Sequence, residues 1–188
     1  MNLSRILFIA LIIAAVYLVM LYNSLVSMRQ KVLSAWSDIE VQLKKRYNLI
    51  PALVDTVKGY AKHESETLQK VIEARNMALN AHNAGEASKA EAMYKNALGS
   101  IFALSEAYPE LKANENFVNL QKQLQAIEED IESARRYYNA TVRDYNAKIE
   151  SFPALYLAQK FNFEPFEYFE VDKSIEADVY KMPKVDFS

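Results

Sequence analysis

The stretch Ile6–Leu43, ILFIALIIAAVYLVMLYNSLVSMRQKVLSAWSDIEVQL, decides the architecture. Its first part, Ile6 to Tyr22, runs 17 residues without a charge. As a helix it rises about 25 Å, slightly short of a hydrocarbon core of roughly 30 Å. Leu3 on one side and Asn23 and Ser24 on the other supply the missing length. Tyr17 and Tyr22 lie towards its C-terminal end, where amphipathic rings favour the headgroup layer. Beyond it, apolar or small residues recur at Leu21, Leu25, Met28, Val32, Ala35, Ile39 and Leu43, in steps of 4, 3, 4, 3, 4 and 4. That spacing is helical, and it crosses the end of the apolar run without a break. Anchor and first soluble helix read as one rod.

A cleaved signal peptide is the competing reading. Its apolar region normally spans 7–15 residues and ends in small residues at the cleavage site. Here the run is longer, and Tyr22-Asn23-Ser24-Leu25-Val26-Ser27-Met28 offers no such site. A soluble helix apolar on every side would need burial all round. The reading is therefore an uncleaved anchor with ends at Ile6 and Tyr22, meeting the lipid bilayer through residues 6–22. Arg5 on one flank against Arg29 and Lys31 on the other leaves its orientation open.

Composition agrees with long helices. The 188 residues include 3 glycines and 5 prolines, where an average protein carries roughly 12% of the two together. So few turn formers exclude sandwiches and barrels. A net charge of −2 gives no basic excess for binding phosphates, and no nucleic acid is expected as partner. The absence of cysteine removes disulfides, thiolate catalysis and cysteine-based zinc sites.

Pro51 predicts that the rod ends near Asn48, because a residue before proline avoids the helical region. A second helix is expected from Pro51 to about Ala81, with Leu53, Val54, Val57, Leu68, Val71 and Ile72 inward and His82-Asn83-Ala84-Gly85 stopping it. A third covers about Glu86 to Ala107. The fourth and longest opens at Asn114-Glu115-Asn116, and its stripe runs from Phe117 through Leu124, Ile131, Tyr138 and Tyr145 to Phe152, with Pro153 kinking or ending it. A spacing of about 3.5 sustained over this length means packing against nearly antiparallel neighbours. The fold class is all-α: an N-terminal transmembrane helix continuing into an antiparallel bundle of three to four long helices. The chain divides into a flank at 1–5, the anchor at 6–22, the bundle at 23–165 and an aromatic-rich tail at 166–188.

Little in the sequence points to chemistry. His63-Glu64 begins like a zincin motif, but Thr67 stands where its second histidine belongs. Neither a P-loop, a dinucleotide fingerprint nor a nucleophile elbow occurs, and the glycines are too dispersed to cradle phosphate. Glu128-Glu129-Asp130 falls between stripe residues and reads as a solvated face. Lys44-Lys45-Arg46 reads as a solvated helix end. Asn139-Ala140-Thr141 fits a glycosylation acceptor but lies within a helix. Ala90, Tyr94 and Ala97 resemble fragments of tetratricopeptide helices, without the 34-residue recurrence. No catalytic, metal or cofactor-binding residue is assigned, and no cofactor is expected.

Two features remain. Tyr-Asn pairs occur at 22–23, 47–48, 138–139 and 145–146, and the last two put tyrosines on the core stripe, where their hydroxyls need partners. They form either a hydrogen-bonded core layer or a ligand pocket. The tail aromatics Phe161, Phe163, Phe166, Tyr168 and Phe169 either strap the tail to the bundle or, at Phe166, Tyr168 and Phe169, form a docking surface for a partner.

The block Tyr22–Arg75, YNSLVSMRQKVLSAWSDIEVQLKKRYNLIPALVDTVKGYAKHESETLQKVIEAR, closely resembles the LemA family of bacterial membrane-anchored proteins. A second block, NFVNLQKQLQAIEEDIESARRYYNATVRDYNAKIESFP from Asn116, and the ending Pro183-Lys184-Val185-Asp186-Phe187 resemble it too. The resemblance implies a single-pass protein of the bacterial cytoplasmic (inner) membrane with a helical soluble domain, and it brings no catalytic residues to carry over. With the residue reading, the expectation is a non-catalytic membrane-anchored scaffold that binds a protein partner. The alternatives are a self-assembling, membrane-shaping protein, or an enzyme built on carboxylates or the Tyr-Asn layer.

Overall fold

The structure, a computed structural model, describes residues 3–81 and 83–170. All regular elements among them are helices: α1 (Leu3–Tyr60), α2 (Ser65–Leu79), α3 (Ala84–Ala107), α4 (Pro109–Lys112), α5 (Glu115–Glu150) and α6 (Ala154–Lys160). The expected all-α class holds. The chain forms two compact units, one of α1 up to Asp38 with Arg136–Glu167, the other of Ile39–Arg135 with a segment that begins at Tyr168. The family-like ending at Pro183–Phe187 and the histidine at 82 lie outside the described residues.

In the first unit every residue from Leu3 to Met20 is exposed. Burial starts at Leu21 and continues at Leu25, Val32 and Ala35, the stripe that the spacing predicts. Tyr138, Val142, Tyr145 and Ile149 of α5 are the buried residues of the opposing helix. The Trp36 and Tyr138 rings lie 5.5 Å apart, and Tyr22 packs edge-on against Phe161 at 4.9 Å and Phe163 at 5.8 Å. The later part of α1 thus meets the earlier part of this segment of α5, an antiparallel pair. Phe152, expected on the core stripe, is 80% exposed. The helix ends at Glu150, where the Ser151 hydroxyl donates to the Lys148 carbonyl at 2.8 Å, so helical spacing no longer directs Phe152 inward. Pro153 lies three residues past the end of α5 and immediately precedes α6.

In the second unit the expected break at Pro51 is absent, which makes α1, at 58 residues, the longest helix instead of α5. Proline in a helix interior deprives the carbonyl four residues earlier of its donor. That carbonyl belongs to Tyr47, and Arg75 Nε of α2 donates to it at 2.8 Å. The missing intrahelical bond is replaced from a neighbouring helix, and α1 continues to Tyr60. The expected second helix is consequently split. Lys62 and His63 form an exposed turn, and α2 begins at Ser65.

Leu68, Val71, Ala74 and Ala78 are the buried face of α2, while Ile72, expected inward, is 41% exposed. Asn83 starts α3 instead of stopping α2: its side chain accepts the Glu86 N–H at 2.8 Å, an N-cap. Ala84, Ala87 and Ala90 are buried on α3, so α2 and α3 meet largely through alanines. At the far end Asn114 caps α5 by accepting the Phe117 N–H at 3.0 Å and donates to the Tyr60 hydroxyl at 2.9 Å.

Candidate functional site

The second unit contains a charge cluster that the sequence reading placed in solvent. Arg46 is 1% exposed, although it closes the basic run Lys44-Lys45-Arg46. It sits among Leu43, Tyr47 and Ile50 on the buried face of α1. Its Nη1 donates to Glu91 Oε1 at 2.8 Å and Glu128 Oε2 at 2.7 Å, and its Nη2 donates to Glu91 Oε2. The pairing with Glu91 is the two-pronged fork that a planar guanidinium makes with a carboxylate. The guanidinium also lies over the Tyr94 ring, 4.2 Å from its centroid, and 5.2 Å from that of Tyr47. Tyr47 and Tyr94 meet edge-on at 5.4 Å.

Lys95 extends the cluster, lying 2.8 Å from Glu128 Oε1 and 3.7 Å from Glu91 Oε1. Glu128 is therefore not the simply solvated residue expected of Glu128-Glu129-Asp130, although Glu129 and Asp130 are exposed. Burial disfavours the Arg46 charge, yet the hydrogen bond and charge of Glu91 outweigh it and hold the guanidinium above its ordinary pKa. Burial opposes the Glu128 carboxylate too, but Lys95 and Arg46 prevail and keep its pKa below the usual value. Burial raises the pKa of the Tyr94 phenol. Its hydroxyl and Arg46 Nε are buried without a protein hydrogen bond.

Beside the cluster a groove of about 530 Å³ runs between α3 and α5. Leu98, Phe102 and Leu124 give it apolar walls; Lys95, Gln125 and Glu132 are among its polar ones. Among the described residues no group of three or more His, Asp or Glu side chains is placed to hold a metal ion.

In the first unit the Tyr-Asn pairs hold the segment after α6. The Tyr138 hydroxyl donates to the Glu167 carbonyl at 2.8 Å, and burial pushes its pKa up to about 12. Asn146 grips the Phe166 backbone in both directions, donating to its carbonyl at 2.9 Å and accepting its N–H at 3.0 Å. The Tyr145 ring packs on Phe166 at 5.2 Å, while its buried hydroxyl has no protein partner. Thr141 of the glycosylation-like triplet donates to the Tyr138 carbonyl within α5.

Of the residues named for docking, Phe166 is half-buried, Tyr168 is 41% exposed and Phe169 is 1% exposed. In the second unit, Arg135 lies 5.9 Å from the Phe169 ring centroid. The anchor ends are placed as separate features of α1, with Ile6 exposed and Tyr22 half-buried. Sequence spacing singled out neither Glu91 nor Arg75, and it placed Arg46 at a solvated helix end. A signal for Arg46 existed: Ile39, Leu43, Arg46, Ile50, Leu53 and Val57 continue the stripe in steps of 4, 3, 4, 3 and 4.

These features define an all-helical protein with one N-terminal helix long and apolar enough to cross a membrane among the described residues. The sequence profile of the LemA family matches residues 35–187. The chain belongs to the LemA family. It is similar to the magnetosome protein MamQ of Magnetospirillum gryphiswaldense, at 26% identity over an alignment covering 81% of this chain and 65% of that protein. Magnetosome protein MamQ 2 of Paramagnetospirillum magneticum is also 26% identical, with 81% and 66% covered. Protein LemA of Metamycoplasma hominis is 27% identical, with 84% and 72% covered. The chain thus spans about two thirds of the length of the MamQ relatives it matches.

Proposed function

We propose that this chain is a non-catalytic scaffold, held in the bacterial cytoplasmic membrane by a single pass over residues 6–22, that presents its helical bundle to protein partners of the envelope. The observation that carries this reading is the unbroken exposure of apolar side chains from Ile6 to Met20, on the same helix whose burial begins at Leu21. An 18-residue stretch of that helix has a mean hydropathy of 2.5 and is only 6% buried, so nothing among the described residues covers it. Only lipid, or a protein within lipid, satisfies such a surface. The ion pairs of Arg46 and the clamp on Phe166 support a structural role for the polar residues, since each ties one segment of the chain to another.

The test is photo-crosslinking in native membranes, with a benzophenone amino acid at Tyr168 or Met93, both exposed. Discrete adducts with other proteins, abolished when Leu3–Met20 is deleted, are the expected result. Adducts of the chain with itself alone would favour the self-assembling alternative. Uncrosslinked monomer throughout, at native abundance, would contradict the scaffold reading.

A further inference from the structure

The corner between α5 and α6 carries three large exposed aromatic side chains. Phe152 is 80% exposed, Tyr156 66% and Phe161 49%. Phe152 and Tyr156 meet edge-on at 6.0 Å, so they form one surface. Phe161 is tied to Tyr22 of α1 at 4.9 Å. Tyr22 closes the apolar run that begins at Ile6, and Met20, two residues before it, is still 65% exposed. The corner therefore stands at the level where the bare apolar part of α1 ends and its buried stripe begins.

We propose that this corner is a membrane foot, in which Phe152, Tyr156 and Phe161 sit in the headgroup layer of the bilayer that α1 crosses. The proposal rests on the reading of residues 6–22 as the spanning segment. Those 17 residues rise about 25 Å as a helix, close to the roughly 30 Å of the hydrocarbon core. If that length is spanned, Tyr22 reaches the interface, and a ring packed on Tyr22 reaches it as well. Aromatic side chains concentrate at that depth, where an apolar ring and a polar rim are both satisfied. Lys160, exposed at the end of α6, places a cation where it can reach lipid phosphates. A lipid surface is favoured over a soluble partner because the corner adjoins the anchor, so the bilayer that receives α1 already lies against it. The first unit would then have two attachments, a helix through the membrane and a foot on it, which restricts tilting about the junction at Tyr22.

The test uses the full chain in phosphatidylcholine nanodiscs containing a minority of phosphatidylglycerol. The sequence has no cysteine, so a single nitroxide can be placed at will. Labels go at Phe152→Cys and Tyr156→Cys, with Ile13→Cys reporting the anchor and Ser100→Cys as an aqueous reference. Relaxation by oxygen, which partitions into lipid, is compared with relaxation by a water-soluble nickel chelate. Ile13→Cys should respond to oxygen strongly and to nickel weakly, and Ser100→Cys in the reverse order. The foot predicts that Phe152→Cys and Tyr156→Cys are several-fold more protected from nickel than Ser100→Cys, at a depth shallower than Ile13→Cys. Nickel access at both corner positions equal to that at Ser100→Cys, with Ile13→Cys in lipid, overturns the foot and leaves the anchor standing. An Ile13→Cys label in water overturns the anchor reading itself. Both variants replace exposed side chains, so a preserved circular dichroism spectrum and melting curve show that the fold is intact.

Discussion

Arg46 is held by geometry that leaves no inexpensive alternative. Its head is shared between Glu91 and Glu128 and stacked on Tyr94, in a site with 1% exposure. Removing one member of a buried pair leaves the other charge uncompensated, a loss of about 3–5 kcal/mol. Arg46→Met should fall at the lower end of that range, because Lys95 lies 3.7 Å from Glu91 and partly compensates it. The double variant Arg46→Met with Glu91→Leu should recover most of the loss, since an apolar pair of similar volume removes both desolvation penalties. Urea melts of the full chain in detergent check both statements. Glu128 supplies a pH prediction. Its pKa is below the ordinary 4.5 in the folded chain because of Lys95 and Arg46, despite burial. Its contribution to stability is therefore present above about 4.5 and lost as pH falls through the lower folded value. Glu128→Gln should flatten the acid limb of a stability–pH curve below pH 4.5 and change its slope little near neutrality.

At the scale of elements, the continuity of α1 through Pro51 depends on a residue of α2. Arg75 donates to the Tyr47 carbonyl that Pro51 cannot serve. Arg75→Met should destabilise the chain by about 1–3 kcal/mol, the cost of an orphaned buried acceptor. In a Pro51→Ala background the restored N–H takes that carbonyl, and the same Arg75→Met change should cost clearly less. A double-mutant cycle by chemical denaturation measures the difference. The stripe from Leu21 to Leu43 could be read because helical spacing is local. The fate of Pro51 could not, because the rule for proline is local while its remedy is Arg75, 28 residues along the chain from the Tyr47 carbonyl that it serves. Arg46 was legible in part: it occupies a core slot of the stripe, but a basic residue beside Lys44 and Lys45 reads as solvated until Glu91 is known to face it. The strap was half legible. The aromatics of the tail suggested it, while the grip of Asn146 on the Phe166 backbone needs a long-range pairing that no spacing encodes.

At the scale of the whole molecule, the largest exposed apolar stretch among the described residues is α1 from Ile6 to Met20. Because none of these residues is buried, deleting them should release the chain from membranes while leaving its helical signal per residue and its melting temperature nearly unchanged. Sedimentation with membranes and thermal circular dichroism check the two halves of that statement. Membership of the LemA family fits an all-helical chain of this kind, and its profile covers the bundle and the tail from residue 35 onward. Whether α1 crosses the bilayer can be tested directly, because the sequence has no cysteine. One variant carries a single cysteine appended ahead of Met1, another carries Ser100→Cys, and each is exposed in intact cells to a membrane-impermeant maleimide, with any outer membrane permeabilised. The account predicts opposite behaviour: one position is labelled at once, the other only after lysis, and which is which fixes the side that holds the bundle. Equal labelling of both in intact cells, or equal protection of both until lysis, would contradict a spanning helix.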